Sequence, residues 1–445
     1  MLEVLNTLLW GLGTLALILG TGAWLTLRTG GFPQRNLGRA LALSLGREAR
    51  RKGRGGVSPF GSLMTALAST VGTGNIVGVA AALVSGGPGA LVWMELAAFL
   101  GLAAKFAECM LAVKYRRVRR DGTRWGGPMA VMETRLGSAG AVLGRFYALF
   151  ALLMAFAMGA MAQSGALADT FSAAFTLPRW RVGLVTAALA LTILLGGIRR
   201  IADISTVLVP VMALLYLGGG LAVILGNLRR LPEAVTLMLR CAVASEAALG
   251  GALGIVTRRE ALRWGVARSV FSNEAGLGSA AITAACADTE DPVRQGLISM
   301  TGVFFDTMVI CAVTGLAICC SGTLGAADGN GRPLTGAALT LRAFETVLGP
   351  LAPWLIGVAL GLFAFTSVLG CAVQAETTAS YLLGPEAARP CRVLYGLAVF
   401  AGAVIPMATV LQLADLANAL MAFPNLVCLL LLSDEIAGEC RRKDR

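Results

Sequence analysis

Residues 68–83 read ASTVGTGNIVGVAAAL, so three glycines and several polar side chains interrupt an otherwise apolar run. A glycine in a helix interior costs about 1 kcal/mol relative to alanine. Inside a bilayer every backbone N–H and C=O also needs a partner, so a break is tolerated only where something replaces the lost bonds. The stretch therefore predicts two half-helices that meet at a ligand-binding site.

The two sides of such a break favour different ligands. Amides freed at the start of a half-helix favour a carboxylate, whereas freed carbonyls together with Thr, Ser or Asn oxygens favour a hard cation such as Na⁺. An amino-acid zwitterion with Na⁺ would use both sides. For one glycine-rich span alone, close helix packing is the competing interpretation.

The composition places this break in a membrane. Of the 445 residues, 56% are hydrophobic and 14% are charged, against about 25% charged in soluble domains. Apolar runs near the ~20 residues that cross a bilayer recur along the chain. The sequence predicts an all-α polytopic membrane protein with eleven spans, at roughly residues 5–27, 60–84, 90–113, 143–172, 181–197, 205–227, 262–286, 297–321, 352–378, 392–410 and 412–433.

Charge placement predicts the orientation. Lys and Arg are concentrated in 28–54, 114–135 and 441–445, and basic residues stay on the cytoplasmic side. We therefore expect a multi-pass cell-membrane protein with its N-terminus outside and its C-terminus in the cytoplasm. The net charge of +12 is then a topology signal and does not indicate a nucleic-acid partner.

Ten spans remain after the first, five on each side of 228–261. An odd number of spans per half reverses the orientation of the second half, which is the arrangement of an inverted repeat. A second interruption, FSNEAGLGS at 271–279, opens the second half as 68–78 opens the first. The predicted parts are a first span with a basic loop (1–57), repeat 1 (58–227), an extracytoplasmic connection (228–261), repeat 2 (262–434) and a basic tail (435–445).

Other polar residues lie within predicted spans. Asp306 is a costly charge at depth and is therefore a site hypothesis. Gln163 either faces the site or bonds a neighbouring helix. Lys105 and Glu108 stand at i and i+3, which favours an ion pair over a ligand site.

The ordered motifs also resemble those of a known family. They are VGTGNIVGVA (71–80), GGPGALVWMELAAFLGLAAKFAECMLAVKYR (86–116), GGIRRIADISTVLVPVMALLY (196–216), GVARSVFSNEAGLGSA (265–280), DPVRQGL (291–297) and LADLANALMAFPNL (413–426). On these stretches the chain resembles the alanine/glycine:cation symporters, also called sodium:alanine symporters. The resemblance implies a leucine-transporter-type fold, two inverted five-helix repeats plus one N-terminal span, and inward symport of small neutral amino acids with Na⁺, occasionally with H⁺.

The resemblance also implies roles for individual residues. The amides of Thr73 and Gly74 would meet the substrate carboxylate. The other substrate-binding positions would be Gln163, Phe271, Asn273, Gly276 and Cys371. The Na⁺ site shared in this fold would use the carbonyls of Ala68, Val71 and Phe363 with the hydroxyls of Thr366 and Ser367. A second Na⁺ site would draw on Thr70, Asn75, Ser272 and Asp306.

The chain departs from the family pattern at the pocket wall. Cys371 stands where the family commonly has tryptophan, Ala160 stands where it usually has asparagine, and the chain has no histidine. A thiol leaves more room than an indole, so an amino acid bulkier than alanine or glycine is a hypothesis.

Several alternative functions are compatible with the sequence. An intramembrane enzyme is disfavoured because no histidine is present for a metal or Ser–His site. A channel and a non-transporting amino-acid sensor are the rivals from other classes. Proton coupling through Asp306 or Glu274 is the rival within the class, and the sequence leaves the oligomeric state open.

Overall fold

The structure, a computed structural model, describes residues 9–53, 57–118, 122–244, 246–249, 254–329 and 331–444. Helices dominate this part of the chain, which confirms the all-α membrane architecture. The strands within it form two short antiparallel hairpins, β1 Arg117–Val118 with β2 Arg124–Trp125 and β3 Glu246–Leu249 with β4 Gly254–Thr257.

The N-terminal region contains one long helix followed by short ones. They are α1 Leu12–Arg28, α2 Phe32–Arg35, α3 Leu37–Leu45 and the 3₁₀ turn Arg47–Arg50. The first predicted span, 5–27, coincides with α1 from residue 12 onward, and its residues 5–8 lie outside the described residues.

Residues 58–227 contain the helices of the first predicted repeat. They are α4 Pro59–Thr70, the 3₁₀ turn Thr73–Asn75, α5 Val77–Gly86, α6 Gly89–Lys114, α7 Pro128–Arg135, α8 Gly137–Met154, the π-helical segment Ala155–Ala162, α9 Gln163–Phe175, α10 Arg179–Leu194 and α11 Gly197–Gly226. The helix α4 begins at a defined cap, because Ser58 Oγ accepts a hydrogen bond from the Gly61 amide at 3.0 Å and Pro59 occupies the first turn.

The predicted connection at 228–261 has structure of its own. It contains the 3₁₀ turn Leu228–Arg230, α12 Leu231–Val243 and the hairpin of β3 and β4. The next helix starts at Arg258, before the predicted boundary at 262, because Thr257 and Glu260 form a reciprocal capping box. The Glu260 carboxylate accepts from the Thr257 amide at 2.8 Å, and Thr257 Oγ1 accepts from the Glu260 amide at 3.3 Å.

The second predicted repeat follows with a similar succession of helices. They are α13 Arg258–Asn273, α14 Ser279–Ala285, α15 Pro292–Val303, the π-helical segment Phe304–Cys311, α16 Ala312–Ser321, α17 Gly336–Leu348, the 3₁₀ turn Gly349–Leu351, α18 Ala352–Leu383, the 3₁₀ turn Pro385–Ala387, α19 Ala388–Val404, α20 Met407–Leu431 and, at the tail, α21 Ser433–Asp444.

A helix lies at each predicted span. Within the described residues, however, fewer than eleven helices are both long enough and apolar enough to cross a membrane. Seven helices or helix runs are long and apolar enough to cross a membrane, and α4 with Thr73–Gly86 passes as one span bent by 64°. By contrast, α1 has 17 residues, and α10 and α13 have 16 each. They fall short of the ~20 residues of a straight crossing.

The basic loops and the tail meet at one end of the molecule. Ion pairs join Arg35 to Asp444 at 2.9 Å, Lys443 to Asp291 at 2.6 Å and Arg294 to Glu48 at 2.7 Å. Segments predicted to share one side of the membrane are therefore neighbours in the structure.

Candidate substrate and cation site

The first break releases backbone groups from helical pairing. The helix α4 ends at Thr70, and Gly72 has extended backbone angles. The Gly72 amide bonds Asn75 Oδ1 at 3.1 Å, and the Asn75 amide bonds the Gly72 carbonyl at 3.2 Å. These two amides would have been the helical partners of the Ala68 and Val71 carbonyls. Both carbonyls are thus freed, as the glycines of the sequence predict.

Two amides of this break have no partner in the described part of the chain, namely those of Thr73 and Gly74. Around them lie two of the predicted substrate-binding side chains. Thr73 Oγ1 donates to Gln163 Oε1 at 3.3 Å, and a Cβ on Gly74 would lie 3.3 Å from the Phe271 ring. The structure therefore brings Thr73, Gly74, Gln163 and Phe271 together beside the free amides.

The freed carbonyls face helix α18. Ser367 Oγ lies 3.5 Å from the Val71 carbonyl, and Thr366 Oγ1 bonds the Phe363 carbonyl at 3.1 Å. Ala68, Val71, Phe363, Thr366 and Ser367 are all buried, each at most 1% exposed. Carbonyl and hydroxyl oxygens are the ligands that hard cations take, so this donor set fits Na⁺.

Glycines allow α18 to approach the break closely. A Cβ on Gly370 would lie 2.8 Å from Ser69 Cα and 2.9 Å from the Ala68 carbonyl carbon, and one on Gly72 would lie 2.8 Å from Ser367 Oγ. Real Cβ atoms essentially never come this close. The proximity of hydroxyls and freed carbonyls thus depends on missing side chains.

A polar cluster lies on the other side of the break. Asn75 Nδ2 donates to Asp306 Oδ1 and, at 3.2 Å, to Ser272 Oγ. Ser272 Oγ donates to Asp306 Oδ2 at 2.8 Å. All three side chains are at most 2% exposed. Thr70, the fourth residue predicted for a second cation site, makes no hydrogen bond to this cluster within the described residues.

Asp306 lies in a π-helical segment, Phe304–Cys311. Such segments are rare and occur frequently at functional sites. Its neighbour Thr307 accepts a hydrogen bond from Asn273 Nδ2 at 3.0 Å, and the thiol of Cys311 lies 3.2 Å from Ser272 Oγ. Sequence reasoning missed Thr307 and Cys311, and the adjacency of Thr307 to Asp306 was the available signal.

The second break differs from the first because side chains of the protein satisfy its backbone. Asn273 Oδ1 accepts the Ala275 amide at 2.9 Å. Glu108 Oε2 accepts the amides of Gly276 at 3.1 Å and Gly278 at 3.0 Å. The Gly276 carbonyl accepts from Asn425 Nδ2 at 2.9 Å. Gly276, predicted to bind substrate, is therefore fully bonded to the protein, and Asn273 faces Thr307.

Cys371 lies one turn beyond Ser367 on α18. Its Sγ is 3.9 Å from the Ser69 carbonyl, and a Cβ on Gly159 would meet its side chain. Gly159 and Ala160 belong to the π-helical segment Ala155–Ala162, which ends directly before Gln163. The two family departures, at 160 and 371, thus flank the same packed wall.

Two cavities have residues of this region in their linings. A cavity of about 190 Å³ has Phe271 in its lining together with Trp264, Arg268 and Asp415. A larger one of about 780 Å³ is lined by the last turns of α18, including Thr377. Between the cation donors and that cavity lies Gln374, a buried amide whose side chain has no hydrogen-bond partner among the described residues. Sequence reasoning missed it, although it is a lone amide in an apolar run.

Comparison with known proteins identifies the type of molecule that carries this site. The model of the sodium:alanine symporter family matches residues 1–442. The chain belongs to that family. The predicted resemblance is therefore confirmed, and this symporter is a multi-pass membrane transporter and not an enzyme.

Relatives match the symporter over almost its whole length. A protein named sodium/alanine symporter AgcS, from Methanococcus maripaludis, is 40% identical over 443 residues, 99% of this chain and 96% of its own. A probable sodium/glutamine symporter GlnT, from Bacillus subtilis, is 36% identical over 438 residues, 97% of this chain and 87% of its own.

A solved structure supports the fold. The crystal structure of MhsT in complex with L-phenylalanine has a TM-score of 0.61 at 14% identity, covering 85% of the symporter and 90% of MhsT. At this identity the likeness concerns the fold alone. It confirms the leucine-transporter-type fold that the family motifs implied.

Proposed function

We propose that this protein is a secondary active transporter that carries one small neutral amino acid into the cell with Na⁺ by alternating access. The observation that carries the proposal is the asymmetry of the first break, with free amides at Thr73 and Gly74 and freed carbonyls at Ala68 and Val71. The amides suit the substrate carboxylate, and the carbonyls suit a cation. One break would thereby bind both coupled species.

The second break supports a substrate with a single carboxylate. The amides of Gly276 and Gly278 already bind an oxygen of the Glu108 carboxylate. This contact is an internal example of the chemistry proposed for Thr73 and Gly74. Because these two amides are occupied, they are not available to a second carboxylate, which favours a neutral amino acid over a dicarboxylic one.

For the cations we propose two positions. The first uses Ala68, Val71 and Phe363 carbonyls with the Thr366 and Ser367 hydroxyls. The second is centred on Asp306 with Asn75 and Ser272, whose oxygens lie within one buried cluster. Support comes from the donor chemistry and from the names of relatives, a sodium/alanine symporter and a probable sodium/glutamine symporter.

The proposed orientation has the N-terminus outside and the C-terminus in the cytoplasm, with inverted repeats at 58–227 and 262–434. The ion pairs that join the basic loops to the tail helix support one common side for these segments. On that assignment the 780 Å³ cavity beside Thr377 opens toward the cytoplasm and is the release path.

Uptake into proteoliposomes tests the function. With a labelled amino-acid panel, we expect accumulation under an inward Na⁺ gradient and little under a proton gradient alone. Thr366→Ala removes a hydroxyl from the first cation site and should raise the half-saturating Na⁺ concentration about tenfold, the equivalent of ~1.4 kcal/mol. Thr192→Ala on α10, whose exposed hydroxyl bonds its own helix, is the matched control.

Three results would contradict the proposal. Binding without accumulation under either gradient would indicate a sensor, and uptake that does not depend on any gradient would indicate a channel. Accumulation driven by protons alone would favour the proton-coupled alternative. Unchanged Na⁺ dependence in Thr366→Ala would remove the first cation site from the proposal.

The substrate range depends on the wall at Cys371. If the thiol leaves room for a bulkier side chain, Cys371→Trp should abolish uptake of the larger panel members, such as glutamine, and retain alanine or glycine. Because Cys371 packs against Gly159, Cys371→Ala is the control that changes this wall without filling it. Equal loss of all substrates in Cys371→Trp, with Cys371→Ala normal, would contradict the hypothesis.

A further inference from the structure

A buried ionic network joins three distant parts of the chain at the second break. Lys105 and Glu108 lie on α6, Glu274 lies in the break, and Asn425 lies on α20. Glu108 Oε2 accepts from Asn425 Nδ2 at 3.1 Å as well as from the amides of Gly276 and Gly278. Lys105 Nζ donates to the Glu274 carbonyl at 3.1 Å and pairs with Glu108 Oε1 at 3.4 Å.

The network places charged side chains away from solvent, which costs solvation free energy. Lys105 and Glu108 are each 2% exposed, and Glu274 is 5% exposed. Charged groups within membrane spans are rare and pair with one another or with backbone groups. Removing one partner of a buried pair leaves an uncompensated charge, which is strongly destabilising. Each member therefore depends on the others.

The network also fixes an unfavourable backbone conformation. Glu274 has φ 52°, an uncommon value for a residue other than glycine, and Gly276 and Gly278 have φ 84° and 81°. The bonds from Lys105 to the Glu274 carbonyl and from Glu108 to the two glycine amides lie at these three residues. Glycine adopts a positive φ readily, so the strain lies at Glu274, and it persists because the surroundings over-determine this conformation.

The held segment directly follows the residues that form the site. Phe271 packs on Gly74, Ser272 bonds Asp306, and Asn273 bonds Thr307. The path of the chain through 274–278 sets where α13 ends and therefore where these three side chains lie. A change in Glu108 would reach the substrate through them and not by contact.

We propose that Glu108, with Lys105 as its counter-ion, is a positioning residue for transport, holding the second break in the conformation that places Phe271, Ser272 and Asn273 at the site. The proposal rests on the proposed function, since it concerns the binding of that substrate. In this role Glu108 contacts neither the substrate nor a cation. The first cation site, built on α4 and α18, is independent of the network.

A double-mutant cycle in proteoliposomes tests the proposal with labelled L-alanine, or with the panel amino acid taken up fastest. In Glu108→Gln, the new side-chain oxygen can still accept hydrogen bonds from the amides of Gly276 and Gly278. The side-chain NH₂ group then faces the Lys105 ammonium, and two donors oppose each other. In Lys105→Met, the Glu108 carboxylate loses its counter-ion. The pair Lys105→Met/Glu108→Gln keeps the acceptor and leaves no repulsion between the two side chains.

We expect each single variant to raise the half-saturating substrate concentration about tenfold, as loss of one buried charged hydrogen bond would. The half-saturating Na⁺ concentration of the single variants should rise as well, because the network also positions Ser272, which belongs to the proposed second cation site. The double variant should return to within about threefold of the parent protein, because the partner charges are removed together. Glu133→Gln, in a partly exposed ion pair with Arg117, is the control for loss of a carboxylate.

Asn425→Ala covers the case in which the charge variants do not fold. It removes one donor to Glu108 without unpairing a charge, and we expect about a threefold rise in the same substrate concentration. Normal substrate affinity in the single variants, or a loss of Na⁺ affinity without a loss of substrate affinity, would overturn the positioning role. A double variant no better than the worse single variant would also overturn it. Absence of Na⁺-driven uptake by the parent protein would instead contradict the proposed function.

Discussion

Replacing Gly370 by alanine is expected to lower Na⁺-driven uptake about hundredfold, a loss equivalent to ~3 kcal/mol. The added Cβ would lie 2.8 Å from Ser69 Cα and 2.9 Å from the Ala68 carbonyl carbon. Both atoms belong to backbone, which cannot move aside as a flexible side chain can. Overpacking of this kind typically costs about 1–3 kcal/mol, and here the cost separates α18 from the freed carbonyls.

The same helix provides the control. Gly357 also lies on α18, but nothing lies within 4 Å of the position of its Cβ. We expect Gly357→Ala to transport normally and to be as stable as the parent protein, since alanine is the better helix former. Initial uptake rates and thermal unfolding in detergent, measured for both variants, check the expectation. Near-normal uptake by Gly370→Ala would show that close approach of α18 is not required.

Replacing Asp306 by alanine is expected to reduce uptake at least about hundredfold, because two buried donors lose a charged acceptor worth ~1.5–3 kcal/mol each. Those donors are Asn75 Nδ2 and Ser272 Oγ. Asn75 also accepts the Gly72 amide through its Oδ1. Displacing Asn75 would therefore disturb the first break as well as the proposed second cation site.

The variant Asp306→Asn distinguishes a role in cation binding from a role in holding the first break. It preserves the shape of the side chain and removes the negative charge, so a cation role predicts a raised Na⁺ requirement and a lower slope of rate against Na⁺ concentration. A purely structural role predicts that the slope stays unchanged. Asp203→Asn, which removes a carboxylate from an exposed ion pair with Lys52, is the control. Unchanged uptake in Asp306→Ala would contradict both roles.

Much of the architecture could be predicted without coordinates. Apolar runs of membrane length, the charge bias of the loops and the two interrupted segments depend on local composition, and the helices lie where these signals placed them. The helix α13 begins at Arg258, before the predicted span start at 262, because Thr257 and Glu260 form a capping box there. The count of eleven crossings is not confirmed, because α1, α10 and α13 are shorter than the ~20 residues of a straight crossing.

The candidate site was predictable in part. Thr73, Gly74, Gln163 and Phe271 meet at the first break, and Thr366 with Ser367 faces its freed carbonyls, as the family motifs implied. Gly276 is bonded to Glu108 and Asn425, and Cys371 packs against Gly159. These neighbours come from distant helices, so the sequence around Gly276 and Cys371 does not reveal them.

The two breaks show most clearly which features the sequence determines and which depend on the tertiary structure. Glycine and polar residues decide that a helix stops at 71–75 and at 274–278, because the cost of bending the backbone is local. Whether the freed amides then stay open is not local. Glu108 and Asn425 satisfy the second break from helices far away in the chain, while the amides of Thr73 and Gly74 have no such partner among the described residues. Hydrogen-bond partners depend on which helices pack together, and that arrangement exists only in the folded protein.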